Sequence, residues 1–111
     1  MRKIVERLTN TVGLALLLVS MSSLAAQPEP GDLVIDVRSE AEFSGGHYPG
    51  ALNISYERIA AQILSITENR DQPIALYCQS GRRAGIAKET LHSMGFTQVT
   101  NYGGLSDISK H

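Results

Sequence analysis

The sequence predicts a small α/β domain, with a central, mostly parallel sheet of four to five strands and helices on both faces. Two observations support this. Residues 32–37 and 74–78 each contain an apolar run, and a run without alternation is typical of a strand covered on both faces. Segments with helical spacing separate the strand candidates, so strands and helices alternate along the chain. Since the chain has 111 residues, we expect one domain at most.

The N-terminal segment differs from the rest and matches a secretory signal peptide. A basic head is followed by an apolar stretch over residues 12–19 and then by small residues, which is the order found in such signals. We expect residues 1–26 to be a signal-peptide segment, with cleavage after Ala25 or Ala26. An uncleaved membrane anchor is the alternative, but a span needs about 18 apolar residues, and this stretch is shorter.

The charge of the chain argues against a nucleic-acid partner. The formal net charge is −1, and residues 27–111 alone have more acidic than basic side chains. A nucleic-acid-binding domain usually has a basic excess or a basic stripe. We therefore expect no nucleic acid among the partners.

The first half of the domain contains a strand, a capped helix and a second strand. After the strand candidate at 32–37, Ser39 opens a short helix, and Glu42 follows at the position of a capping-box partner. Gly45-Gly46 ends that helix. Residues 51–54 form a second, short strand candidate.

A longer helix and a turn come next. The helix is predicted from Ser55 to about Ser65, and residues 69–73 form a turn. Three isoleucines are expected on one side of this helix: Ile59, Ile63 and Ile66.

The second half begins with the strand at 74–78 and a polar loop. A helix is predicted from Arg82 to Met94, with Gly95 at its C-cap. Residues 96–99 are a fourth strand candidate, followed by a loop at 101–104 and a short tail. Helical spacing places four residues on the core face of the helix: Ala84, Ala87, Leu91 and Met94.

Cys78 is the only cysteine and stands where chemistry is expected. It ends a buried strand shortly before a helix begins, and open α/β sheets bind ligands at the carboxyl ends of their strands. The N-terminus of a helix favours a thiolate and lowers its pKa, and free N–H groups in such a turn can hold an anion. Gly81 allows the loop to fold back tightly. A buried, inert cysteine is the alternative.

Arg82 and Arg83 strengthen the case for an anion site. A cation in the first turn of a helix opposes the macrodipole, where acidic residues are preferred. Two arginines in this position are explained if an anion binds among them through charge-assisted hydrogen bonds. A pair of solvated arginines is the alternative.

The segment from Cys78 to Arg83, through Gln79, Ser80 and Gly81, resembles the six-residue active-site loop of the rhodanese family. Two further blocks resemble that family over residues 32–107. The first block includes Asp36-Val37-Arg38, Glu42-Phe43, Gly46-His47 and Gly50-Ala51-Leu52-Asn53-Ile54, and the closing block includes Gly95-Phe96, Val99 and Tyr102-Gly103-Gly104. The size and the export signal are most similar to the small, periplasmic, phage-shock-type members.

The resemblance implies a rhodanese-like fold and a two-step sulfur transfer. Cys78 takes a sulfur from thiosulfate, releases sulfite and holds a persulfide, which then passes to cyanide or to a thiol. The loop N–H groups from Gln79 to Arg83 are expected to hold the persulfide, and Arg82 and Arg83 to steer the anionic donor. No metal or other cofactor is implied, and we expect a periplasmic monomer without stable membrane association after cleavage.

Asp36 and Arg38 match the family's first block, and we expect support of the site from both. Asp36 would hold the loop around the site, and Arg38 would pair with Glu42 or another carboxylate. His47 is expected to be structural.

One departure and two rival functions remain. Many rhodaneses have arginine directly after the cysteine, where this chain has Gln79, so the donor preference stays open. Related phosphatases and arsenate reductases space cysteine and arginine by five residues, and here Arg83 lies one place too early. A domain that carries or senses sulfur, or binds a partner through the loop, needs the same activated thiol.

Overall fold

The computed structural model describes residues 27–108, so the predicted signal peptide lies outside the described residues. Strands and helices alternate along this part of the chain. In order, the elements are β1 (Leu33–Asp36), α1 (Glu40–Ser44), β2 (Leu52–Asn53), α2 (Ile59–Ile66), β3 (Ile74–Cys78), α3 (Arg82–Ser93), β4 (Val99–Gly104) and α4 (Leu105–Ile108).

The four strands form one parallel sheet in the order β2-β1-β3-β4. The first crossover runs from β1 outward to β2, and the chain then returns past β1 to β3. The direction of winding therefore changes between β1 and β3. The predicted α/β class, the strand number and the parallel sheet are confirmed.

Helices cover both faces of the sheet, as predicted. One face packs against α2 and α3 through a cluster that includes Ile35, Ile63, Leu76, Ala87 and Leu91. The other face packs against α1 and α4 through a smaller cluster, with Tyr77 and Ile108 at its centre. All five residues of β3 are buried, which explains the apolar run that predicted it.

Helix α1 has the predicted capping box. Ser39 Oγ accepts from the Glu42 N–H, and Glu42 Oε1 accepts from the Ser39 N–H at 3.1 Å. Gly45 is the C-cap residue. This helix end could be predicted because both halves of the box lie within four residues of sequence.

Helix α2 begins later than predicted, at Ile59 instead of Ser55. The preceding segment stays bound to β1, because the Ile54 N–H donates to the Asp36 carbonyl and the Tyr56 N–H to the Val37 carbonyl. Of the three isoleucines predicted on one side of this helix, Ile59 and Ile63 are fully buried, and Ile66, the last residue of the helix, is 45% exposed.

The fourth strand was placed too early. Phe96 is buried, but its N–H donates to the carbonyl of Leu91, and the Thr97 N–H donates to the carbonyl of Arg70. The strand runs instead from Val99 to Gly104, through residues predicted as loop. The predicted short tail contains a helix, α4.

Candidate active site

Cys78 is the last residue of β3 and is 1% exposed. The chain then turns through Gln79 and Ser80 into α3, which begins at Arg82. This turn points the Gly81 N–H at the sulfur, with 2.9 Å between the Gly81 nitrogen and Cys78 Sγ. The thiol therefore lies at the carboxyl end of a buried strand and at the N-terminus of a helix.

The backbone around the thiol favours its charged form. Burial raises the pKa of Cys78, but the N–H groups of Ala84, Ser80, Gly81 and Arg83 together outweigh it, so that the pKa lies below its ordinary value. These are dipoles of the peptide backbone and of the first turn of a helix. The same N–H groups can stabilise the negative charge of a sulfur atom added to Cys78.

The turn needs glycine at position 81. Gly81 has φ of +99°, a left-handed conformation that side chains rarely adopt. A Cβ there would also lie 3.3 Å from Gly103 Cα. The loop therefore packs directly on the backbone of β4.

Hydrogen bonds from residues of β4 and α4 stabilise the loop. Asn101 Nδ2 donates to the Gly81 carbonyl at 2.9 Å, and the Gly103 N–H donates to Asn101 Oδ1 at 2.9 Å. The Gly104 N–H donates to Asp107 Oδ2 at 2.8 Å. Asn101 and Asp107 were missed by the sequence analysis. The Tyr102-Gly103-Gly104 block was a signal for this region, but it did not show which side chain holds the loop.

The two arginines predicted to steer an anion lie in different environments. Arg83 makes a bidentate ion pair with Glu42, with NH1 2.8 Å from Oε1 and NH2 2.9 Å from Oε2. Arg82 is exposed, as are Gln79 and Ser80. The sequence brings all of these residues to one loop, but only Arg83 has its side chain held by a carboxylate there.

Asp36 and Arg38 form a buried ion pair at the carboxyl end of β1. Arg38 NH2 lies 2.7 Å from Asp36 Oδ2, and the two side chains are 4% and 0% exposed. The partner of Arg38 is thus Asp36, one of the alternatives to Glu42 that the sequence left open. Arg38 NH2 also donates to the Gly46 carbonyl at 2.7 Å, and His47 Nδ1 lies 2.9 Å from the Phe43 carbonyl. The pair therefore anchors the loop that follows α1.

An open crevice of about 700 Å³ lies beside the loop. Val37 and Arg83 line it, and the Val37 N–H donates to the carbonyl of Tyr77, the neighbour of Cys78. Phe43, Tyr56 and Arg58 are among its other lining residues. The crevice is therefore at the carboxyl ends of the strands, where ligands of open α/β sheets bind.

Between residues 27 and 108, no group of three or more His, Cys, Asp or Glu side chains could hold a metal ion. Within the same residues, no helix combines the length and the apolar character that crossing a bilayer requires.

Comparison with known proteins identifies relatives over most of the chain. The model of the Rhodanese-like domain family matches residues 20–111. Thiosulfate sulfurtransferase PspE of Escherichia coli (strain K12) is 39% identical over 68% of this chain and 72% of that protein. A thiosulfate:glutathione sulfurtransferase of Homo sapiens is 35% identical over 64% of this chain and 72% of that protein. These relatives support a sulfurtransferase.

A solved structure of a rhodanese with anions from E. coli has the same fold. It is 36% identical, covers 76% of this chain and 93% of its own, and superposes with a TM-score of 0.67. The comparison therefore agrees with the observed α/β fold.

Proposed function

The chain belongs to the rhodanese-like family, and we propose that it is an exported thiosulfate sulfurtransferase in which Cys78 carries the transferred sulfur as a persulfide. The observation that carries this proposal is the cradle of backbone N–H groups around a buried thiol with a lowered pKa. Sulfurtransferase relatives that include a thiosulfate enzyme support the donor.

The first step takes sulfur from the donor. The Cys78 thiolate attacks the outer sulfur of thiosulfate, the bond between the two sulfurs of thiosulfate breaks, and sulfite leaves with the electron pair. The negative charge then lies on the outer sulfur of the Cys78 persulfide. The N–H groups of Gly81 and its neighbours stabilise that charge, because they already surround Sγ and need no rearrangement.

The second step returns the thiolate. A thiolate or cyanide attacks the outer sulfur, the persulfide bond breaks, and the electron pair returns to Cys78. The crevice beside the loop is open, and Arg83 is among its lining residues, which supports access for an acceptor of greater size than cyanide. The human thiosulfate:glutathione relative also supports a thiol.

A thiocyanate assay tests this proposal. Purified protein without residues 1–26 is given thiosulfate and cyanide, beside Cys78→Ala. We expect thiocyanate from the wild-type chain and none from the variant, and mass spectrometry should show one added sulfur atom on Cys78 when the acceptor is omitted. Reduced, folded protein that makes neither thiocyanate nor persulfide would exclude thiosulfate as the donor.

A second candidate is a persulfide carrier that does not turn over thiosulfate quickly. The burial of Cys78 favours it, since a sulfur enclosed by backbone is protected from small acceptors. Stable persulfide together with slow release to cyanide and to small thiols would support the carrier.

Export to the periplasm is part of the proposal. It rests on the pattern of residues 1–26. Fractionation of cells that express the full chain tests it: we expect a shortened protein in the periplasmic fraction, and a full-length protein in the cytoplasm would contradict it.

A further inference from the structure

The Glu42–Arg83 ion pair joins helices α1 and α3 near the carboxyl ends of the strands. The chain leaves β1 toward α1 on one face and leaves β3 toward α3 on the other. The crevice between these two connections is the switch point of the fold. Glu42 belongs to α1 and Arg83 to α3, so the pair joins two helices that lie on opposite faces of the sheet.

Both carboxylate oxygens of Glu42 accept hydrogen bonds. Its Oε1 accepts from Arg83 NH1 and from both the N–H and the hydroxyl of Ser39, at 2.8, 3.1 and 3.0 Å. Its Oε2 accepts from Arg83 NH2 at 2.9 Å. The hydrogen bonds from Arg83 and Ser39 lower the pKa of Glu42 to about 2, so the carboxylate keeps its charge over the range in which proteins usually work.

The ion pair with Glu42 fixes the side chain of Arg83 and compensates its charge. Two of its N–H groups are directed at one carboxylate, the geometry that holds a guanidinium most rigidly. The side chain is 21% exposed, and its backbone N–H belongs to the cradle around Cys78. Arg83 therefore supports the loop at both its backbone and its side chain.

Arg82 is different. It is exposed on the first turn of α3, and within residues 27–108 no carboxylate forms an ion pair with it. Its charge is therefore uncompensated at the entrance to the loop, next to the residue whose charge is compensated.

We propose that Glu42 assigns different tasks to the two arginines: it holds Arg83 as a positioning residue of the loop and leaves Arg82 to bind the anionic donor. This rests on the proposed function. Adjacent arginines that look equivalent in the sequence then differ in what they contact, and a residue of α1 decides which of them meets the dianion.

The first test replaces Arg82 by alanine. The KM for thiosulfate should rise about fivefold to tenfold, and kcat should stay unchanged. This rise lies between the effect expected from loss of an exposed ion pair and that from loss of a hydrogen bond to a charged group. Arg82→Lys should restore most of the affinity, and Lys88→Ala, farther along the same helix, is the matched control. An unchanged KM in Arg82→Ala would overturn the proposal.

The second test releases Arg83 without breaking the helix cap. Glu42→Gln keeps a capping-box residue at this position but removes the carboxylate charge. The KM for thiosulfate should fall about two- to fivefold, the range of an exposed charge interaction, because the charge of Arg83 is no longer compensated. The kcat should also fall, because Arg83 no longer holds the loop in place. Glu89→Gln is the control, and urea unfolding checks the folded state. A KM that rises or stays the same would contradict the proposal.

A third measurement separates this inference from the proposed function. Sulfate has the charge and shape of thiosulfate but no sulfur to transfer, and it can compete with iodoacetamide at Cys78. Sulfate should slow alkylation in the wild type, more so in Glu42→Gln and less in Arg82→Ala. If thiosulfate is not turned over but this order holds, the proposed function fails and the division of the arginines stands. If sulfate protects Arg82→Ala as well as it protects the wild type, the division is wrong.

Discussion

Gly104 is the position where a single added methyl group should damage the site most. A Cβ built on Gly104 would overlap the carbonyl oxygen of Gln79, and it would lie 2.9 Å from the carbonyl carbon of the same residue. Carbon atoms in contact prefer separations of about 3.5–4.0 Å. Both obstructing atoms are backbone, so the loop directly after Cys78 has to move, by at least about 0.6 Å to reach the lower of those separations.

The expected cost follows from this overlap. Overpacking a well-packed site costs about 1–3 kcal/mol, and Gly104→Ala should lower the free energy of unfolding by that amount. Sulfur transfer should fall further, because a displacement of about 1 Å at a catalytic group can reduce the rate up to about a hundredfold. Gly85→Ala is the matched control. Its Cβ would meet its nearest neighbour, Asn101 Nδ2, at 3.6 Å, an ordinary contact, and alanine in a helix is better than glycine by about 0.5–1 kcal/mol.

Urea unfolding and thiocyanate production measure the two effects. We expect Gly85→Ala to unfold at a higher urea concentration than the wild type, and Gly104→Ala at a lower one, with the thiol pKa of Cys78 raised toward its ordinary value. If the two variants unfold alike and Gly104→Ala keeps its activity, the close packing of the loop on β4 does not control the site.

Three more predictions concern charges. Asp36→Asn leaves the guanidinium of Arg38, 4% exposed, without its counter-charge. The free energy of unfolding measured with urea should fall by about 3–5 kcal/mol. A loss of less than about 0.5 kcal/mol, as at an ordinary surface position, would contradict the role of this pair. The pKa of Glu42 is lowered from 4.5 to about 2, so its contribution to stability should be present above about pH 4.5 and lost as the pH falls through 2. Acid unfolding of Glu42→Gln should lack this component, and an identical acid profile would refute it. Salt should weaken thiosulfate binding through the exposed Arg82 but change the pKa of Cys78 little, because salt screens exposed charges much more than buried groups. The KM for thiosulfate and the pKa of Cys78, both measured against ionic strength, test this. A pKa that rises with salt as steeply as the KM would contradict it.

The elements that the sequence predicted well are those whose cause is local. The capping box of α1 needs Ser39 and Glu42 alone, and β3 needs only its run of five apolar residues. The start of β4 was missed because Phe96, apolar and buried, is bound to the end of α3 and to the turn at Arg70 instead of to the sheet. Hydrophobic pattern reports burial, and burial alone does not distinguish a strand from a packed loop.

Residues of the site were also predictable where the cause is local and missed where it is distant in sequence. The position of Cys78 between a buried strand and a helix could be predicted, since it depends on neighbouring residues. The partner of Arg83 could not, because Glu42 lies 41 residues away and already had a local explanation as a capping residue. Asn101 and Asp107 could not be predicted for a similar reason. Each binds a backbone group of the loop or of β4, and such contacts leave no periodic pattern in the sequence.

The cause of the lowered pKa of Cys78 explains why this site can use its two arginines differently. Burial alone would raise the pKa of Cys78, and the opposing contribution comes from the backbone N–H groups of Ser80, Gly81, Arg83 and Ala84. Those dipoles depend on the shape of the turn, which the glycines of the loop and of β4 permit and Asn101 fixes. The largest contributions that lower the pKa of this thiol thus come from the backbone, and the charge of Arg83 also attracts the thiolate. One guanidinium can therefore be neutralised by Glu42 to hold the loop in shape, while the other remains exposed at its entrance.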